Sequence, residues 1–243
     1  MRHDYAQHYR TLYEKHWWWR ARESVLLREI ERYARGRRDL RLLDVGCGDG
    51  LFFPKLKAFG EVLGVETDQL IVSDSNPDRA SIHVGKLDED CPHQGPFSII
   101  LMLDVLEHIE HPSETLRQAT SLLADDGILL ITVPAFQFLW TRHDEINHHY
   151  RRYTKTTINS LAAESGVQLK RTEYFFHWLV AAKLAVRFKE AVIAGEPSPA
   201  ELSPAWVNRL LLGISKIERA MLGSLPLPVG SSLLAIGRRK PAL

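Results

Sequence analysis

Only two cysteines, Cys47 and Cys91, occur in 243 residues. They cannot build a disulfide framework, and nothing near them has zinc-finger spacing. A strong charge of either sign is also missing: the formal net charge is +1. Bulk electrostatics therefore gives no reason to expect nucleic acid or an acidic partner. No apolar run approaches the ~18–20 residues needed to span a bilayer, so no transmembrane segment is expected. The opening residues "MRHDYAQHYR" are polar and charged, unlike a secretory leader. A reducing, cytoplasmic setting is the expectation. No repeat or low-complexity tract is present. What remains is an ordinary globular composition, 45% hydrophobic and 25% charged, long enough for one domain with additions.

The hydrophobic pattern divides the chain. Residues 1–36 read as helical, with apolar residues near a 3.6 period, an Arg22 contributing only its stem, and a stop at Gly36. Short apolar runs then recur: "LRLLDVGC", "EVLGVET", "SIHVGK", "FSIILMLD" and "GILLITVP". Helical stretches fall between several of them, for example Pro112–Ala124. That alternation predicts a parallel sheet covered on both faces. "VQLKRTEYF" and "SSLLAIGRR" read as two late strands, separated by a long helical region broken at "GEPSPAELSP".

The sharpest motif is "LLDVGCGDG", Leu42–Gly50, a strand running into alternating glycines with a helix expected after them. Glycines there allow a tight turn and close backbone approach to a ligand. The spacing matches neither G-x-x-x-x-G-K-[ST] nor G-x-G-x-x-G. Asp44, just before Gly46 and Gly48, would repel a pyrophosphate but can hold an ammonium group. Glu66, some twenty residues on, stands where an acid accepts both hydroxyls of a ribose. A ligand with an amine, a ribose and no phosphate fits both acids: S-adenosylmethionine. The competing reading is that any sheet of this class needs glycines at its turns.

On "LLDVGCGDG", "VLGVET", "FSIILMLDVLEHI" and "GILLITVP", roughly Arg41–Pro134, the chain resembles the class I S-adenosylmethionine-dependent methyltransferases. Within them it resembles the small-molecule, type 11/12-like branch. The resemblance implies a doubly wound α/β fold with a mostly parallel, seven-stranded sheet. An N-terminal helical lid (1–36) and a helical insertion (176–229) would decorate a core of 37–175 and 230–240. It also implies that Leu103 and Asp104 line the meeting point of methyl donor and acceptor, with Glu107 and His108 on the next turn. Lys86 occupies the family's usual adenine-contacting acid position, so Asp88 is assigned that contact. The Asn/Asp-Pro-Pro-Tyr/Phe motif of many amino-methylating enzymes is replaced by "LDVLEH". O-methylation of a small-molecule or lipid-like acceptor is therefore favoured, with an RNA methyltransferase or a cofactor-binding sensor as alternatives.

The acceptor must be defined by the added segments. "HDEINHHYRRYT", His143–Thr154, follows the fifth strand at the cofactor's edge of the sheet. As a pocket wall it would supply a base from His143, His148 or His149 and bind an anionic acceptor group through Arg152, with Tyr150 beside it. His143, Asp144, His148 and His149 could also ligate a metal, and "HHYRRY" could contact nucleic acid, but neither a metal nor nucleic acid is expected. A solvated loop pairing its arginines with Asp144 and Glu145 is the plain alternative. In "HWWWR" the three tryptophans cannot share one face, because adjacent helical residues point about 100° apart. Trp18 and Trp19 are candidates for acceptor contact. From 151 to 240 there are fourteen Lys or Arg against six Asp or Glu, and the helices over 176–222 are amphipathic. Peripheral membrane contact competes there with an ordinary helical cap or a dimer surface.

Overall fold

The computed structural model describes residues 10–193, 201–223 and 225–241. The first nine residues of the expected lid, and most of "GEPSPAELSP", lie outside them. Seven strands form one sheet: β1 (Leu40–Val45), β2 (Gly60–Glu66), β3 (Ile82–Val84), β4 (Phe97–Leu103), β5 (Leu123–Pro134), β6 (Val167–Phe175) and β7 (Ser232–Arg239). The spatial order is β3-β2-β1-β4-β5-β7-β6. β1 to β5 pair in parallel, and β7 runs antiparallel to both β5 and β6. The order reverses at β1, so the crevice beyond the carboxyl ends of β1 and β4 is where a doubly wound sheet takes its ligand.

Central strands in such a sheet are covered on both faces, which explains the near-continuous apolar runs of β1 and β4. Leu42, Ile99, Leu101 and Leu130 face one layer. That layer contains helix α1 (Trp17–Ala34), the short α2 (Phe53–Leu56) and parts of two late helices. Leu43, Val45, Ile100, Met102 and Ile131 face the other. There they meet α3 (Pro112–Ser121) through Leu116 and, further along the chain, Ile158 and Leu161. α2 is a single turn, shorter than the glycine loop suggested. Pro54 opens it, and the chain must turn into β2 at Gly60, where a Cβ would lie 1.9 Å from the Leu40 carbonyl oxygen.

α1 is capped by His16, whose Nδ1 accepts from the Trp18 amide at 3.2 Å, and it ends at Arg35 in the left-handed region. Its inner stripe, including Leu26, Ile30 and Ala34, is fully buried, so α1 is part of the core. Glu29, also buried, pairs with Arg32, Arg171 and Arg219, tying α1 to β6 and to the last helix. After β5 come α4 (Arg142–Ile146), α5 (Lys155–Glu164), α6 (Trp178–Val192) and α7 (Ala205–Leu222). The Trp17 amide donates to Asn208 Oδ1 at 2.9 Å and pins α7 across the start of α1.

Candidate active site

The turn after β1 takes the conformation that its glycines permit. Gly46, Gly48 and Gly50 have φ of 73°, 57° and 63°. A Cβ on Gly46 would lie 2.5 Å from Val105. The Gly46 amide donates to the Val65 carbonyl at 2.7 Å, locking the turn to the end of β2. Glu66 closes the arrangement. One carboxylate oxygen accepts from the Gly48 amide and the other from the Asp68 amide, both at 2.9 Å. Each oxygen keeps a lone pair, so a fixed, buried carboxylate faces the crevice with capacity for two hydroxyls.

Asp44 is 4% exposed, and no donor among the described residues hydrogen-bonds its carboxylate. Burial pushes that carboxyl up to about 7; the Arg22 guanidinium opposes the rise and Glu66 adds to it. A buried acid short of a donor is a place for a cationic ligand group. The crevice is a cavity of about 1620 Å³. It runs from Gly46, Gly48 and Glu66, past Lys86 and Asp88, to Asp104, His108, His148 and Tyr150. Asp88 is exposed on its wall, with Oδ1 accepting from the Asp90 amide at 3.2 Å.

At the other end stands Asp104, a non-glycine residue with φ of 55°. Its carboxylate pairs with Arg22 at 2.6 Å, and the Arg22 guanidinium also donates to Thr132 Oγ1 at 3.1 Å. The expectation that Arg22 contributes only its stem is corrected. The residue is 9% exposed and its head reaches the ends of β4 and β5. Trp18 packs on the same guanidinium at 5.4 Å and beside Phe176 at 6.3 Å. Of the three tryptophans Trp17 is buried, while Trp18 and Trp19 are half-buried, Trp19 edge-on to Trp18 and to His16. Leu103 is half-buried against the α1 side of the core.

The segment 143–154 is organised by Asp144, which is 0% exposed. Asp144 closes a capping box with Thr141 at the start of α4. Arg152 grips it from the far end of the segment, Nε to Oδ1 at 2.9 Å and an outer nitrogen to Oδ2 at 2.7 Å. The remaining guanidinium nitrogen donates to the Ala135 carbonyl at 3.1 Å. The assignment of Arg152 to an acceptor anion is therefore corrected, because every nitrogen of its fork is consumed inside the protein. His149 Nδ1 also reaches Asp144 Oδ1 at 2.9 Å. Burial alone would raise the Asp144 carboxyl, but the hydrogen bonds from His149 and Arg152 outweigh it and hold it well below the usual range. An ionised carboxylate can only accept, so Nδ1 carries a hydrogen, and in the neutral ring Nε2 then holds the lone pair.

The three histidines thus separate. His143 is exposed on α4, and His148 is exposed on the cavity wall with φ of 55°. His149 is half-buried, 4.6 Å edge-on from His108, and rests on Asp144. Tyr150 is exposed on the cavity wall, its amide donating to the Glu107 carbonyl at 2.7 Å. Glu107 is 1% exposed and its Oε2 has no hydrogen-bond partner. Burial, then the neighbouring Asp104, pushes its carboxyl well above the ordinary range. Ligand atoms of Glu107, His108 and His149 lie within 4.8 Å of one another, the one such metal-capable group among the described residues. The set His143, Asp144 and His148 does not assemble, because Asp144 is enclosed by Arg152 and His149. Glu107 and Arg22 were missed as site residues; the first was legible only as a neighbour in "LDVLEH".

A doubly wound seven-stranded sheet, a glycine turn flanked by Asp44 and Glu66, and a polar cluster beyond β4 together define the class I S-adenosylmethionine-dependent methyltransferase fold. The profile of a methyltransferase domain matches residues 18–171, and the chain belongs to that family. A ubiquinone biosynthesis O-methyltransferase of a Caulobacter species is 31% identical over 125 residues, covering 45% of this chain and 48% of the relative. The mitochondrial one of Saccharomyces cerevisiae is 32% identical over 106 residues, covering 40% and 34%. The chain spans about half the length, or less, of these curated relatives. A SAM-dependent methyltransferase from Archaeoglobus fulgidus superposes with TM-score 0.56 at 16% identity, covering 88% of this chain and 92% of its own. Magnesium protoporphyrin IX methyltransferase from Synechocystis, solved with bound SAH, gives 0.52 at 15%, covering 90% and 83%.

The cofactor is S-adenosylmethionine, and the residues present fit it: Asp44, a buried acid that no described residue is seen to hydrogen-bond, for the ammonium, and the carboxylate of Glu66, preset by two amides, for the ribose. Asp44 gives this fit a pH signature. In the cofactor-free protein its carboxyl is raised to about 7, against about 4 in the unfolded chain. The folded state then holds a proton that the unfolded state has released, so Asp44 lowers apo stability as pH rises from about 4 to 7. An ammonium ligand needs the ionised form. Affinity for S-adenosylhomocysteine, which keeps the amino group, should rise up to about tenfold per pH unit below 7 and level off above it. Titration calorimetry across that range reads the slope, and Asp44→Asn should flatten it. A flat profile in the unaltered protein would remove Asp44 as the amine's partner.

Proposed function

We propose that this protein transfers the methyl group of S-adenosylmethionine to an oxygen of a small-molecule acceptor with a lipid-like body. The observation that carries the reading is the Asp144–His149 pair, whose imidazole packs edge-on against His108 on the wall of the donor crevice. It has the base-and-orienter geometry that activates a hydroxyl. The O-methyltransferase names of the partial relatives agree with it. When bound, S-adenosylmethionine supplies an electrophilic methyl on its sulfonium. Asp44 and Glu66 hold the amine and the ribose, and Asp88 borders the adenine. Leu103 and Asp104 fix the donor's reacting end, with Asp104 held in turn by Arg22. His149 Nε2 takes the hydroxyl proton, while Trp18 and Trp19 exclude water from the acceptor side. In this reading the outer side of α1 covers the site, its inner stripe joins the transferase core of 37–175 with 230–240, and the described residues of 176–229 receive the acceptor. The setting is cytoplasmic, with peripheral membrane contact. No helix of the described residues is long and apolar enough to cross a membrane.

A second reading has one supporting observation, the unpartnered Oε2 of buried Glu107. Glu107, His108 and His149 would then hold a divalent ion, with Asp144 orienting His149 from behind, the usual carboxylate–histidine support of a metal ligand. The discriminating experiment is incubation with methyl-labelled cofactor and bacterial lipid extract, read by mass spectrometry, with and without a chelator. Label on an oxygen of a small lipid, undiminished by chelation, is the expected result. Loss restored by one divalent ion would select the second reading. Label confined to RNA, or no transfer alongside intact cofactor binding, would replace the proposal with the RNA-methylating or sensor alternatives.

A further inference from the structure

The helix α7 buries polar side chains beside the core residue Leu212 and leaves large apolar ones outside. Its inward stripe carries Asn208 and Ser215, both buried, and Arg219. Each is used: Asn208 accepts from the Trp17 amide, Ser215 Oγ lies 3.3 Å from the Trp178 indole nitrogen, and Arg219 pairs with Glu29 and Glu173. Its outward stripe carries Trp206, Leu210, Ile217 and Met221, of which Trp206 is 65% and Met221 72% exposed. α6 also leaves Phe188, 73% exposed, and Val192 uncovered. Of all large apolar side chains left exposed among the described residues, only Leu70, Phe138 and Tyr150 lie outside 184–229. Single exposed apolar residues need no explanation, but their concentration on two helices of one segment marks an interaction surface.

The charges select the partner. Lys189 and Arg209 are exposed on the same two helices. The acids of both helices turn away from that face. Glu190 accepts from the Arg142 amide at 3.2 Å and Glu218 from the Trp178 amide at 2.7 Å, and neither is exposed. An isologous contact with a second copy would set this face against itself, bringing cations to cations with no acid of either helix to pair them. A bilayer with anionic headgroups accepts both components, the apolar side chains below the headgroup plane and the cations at it.

We propose that the outer faces of α6 and α7 form an interfacial surface that docks on anionic lipid bilayers. The inference deepens the lipid-like reading of the acceptor and rests on it for its biological sense. Its test needs no turnover, so the two can fail separately. The protein, saturated with S-adenosylhomocysteine, is sedimented with phosphatidylcholine vesicles with and without phosphatidylglycerol. Binding should be at least about tenfold tighter to the anionic vesicles and weaken in high salt. Brominated acyl chains should quench fluorescence in the unaltered protein, and Trp206→Phe should remove most of that quenching. The double variant Phe188→Glu with Met221→Glu should lose at least about tenfold in vesicle binding and retain cofactor affinity. No vesicle binding, equal binding to neutral vesicles, or quenching untouched by Trp206→Phe would overturn the proposal. So would a dimer in sedimentation velocity that the double variant dissociates.

Discussion

Arg152→Ala is expected to lower the stability of the folded protein by about 3–5 kcal/mol, the scale for removing one partner of a buried ion pair. The reason lies in what the substitution leaves behind. Asp144 is fully buried and accepts from both sides of the Arg152 fork, from His149 and from the Thr141 amide. Without the guanidinium, a buried carboxylate loses its strongest donors, and the Ala135 carbonyl loses its partner as well. Arg152→Lys should recover only part of the loss, because an ammonium cannot reproduce two parallel hydrogen bonds. Urea denaturation of the cofactor-free protein measures the effect directly. An Arg152→Ala variant of unchanged stability but raised KM for the acceptor would restore Arg152 as an anion-binding residue.

The donor half was legible because its signals are local. A strand, three glycines, an acid before them and an acid at the end of the next strand specify their own relative positions once the sheet is parallel. The parallel part of the sheet followed from period and spacing, since buried parallel strands must be nearly all apolar, and the full seven-stranded form from the family resemblance. The acceptor half depends on contacts that no local pattern encodes. Arg22 meets Asp104 across 82 positions of chain, and a helical wheel alone shows only a polar residue on an apolar stripe. The twelve residues from His143 to Thr154 displayed the right functional groups. Which of them face one another is decided by the capping of α4 and the return of the chain to Ala135, where Tyr153 bridges to it. The amphipathic pattern of α7 was equally visible, but periodicity does not say which stripe faces inward. That was decided by the partners waiting in Trp17, Trp178 and Glu29.

The largest catalytic effect should come from His149. Replacing it with alanine is expected to slow methyl transfer by ~10²–10⁴-fold, the range for loss of a positioned base. Cofactor affinity should stay unchanged in the proposed arrangement, because Gly46, Gly48 and Glu66 lie at the other end of the crevice from His148 and Tyr150. His148→Ala should have a much smaller effect. His148 is exposed and lacks an orienting carboxylate, whereas the His149 tautomer and ring position are set by Asp144. The comparison is informative because the two side chains are adjacent in sequence and chemically identical, differing only in environment. Single-turnover rates of both variants, with cofactor binding measured in parallel, make the test independent of product release. Metal content of the purified protein then separates the two roles open to His149. A slow His149→Ala variant of a metal-free protein identifies the base. A slow variant that has lost a stoichiometric divalent ion identifies a ligand, with Glu107 and His108 as its partners. Equal and wild-type rates in both variants would remove this segment from the chemistry and shift the acceptor's contacts to Trp18, Phe176 and the Arg22–Asp104 pair.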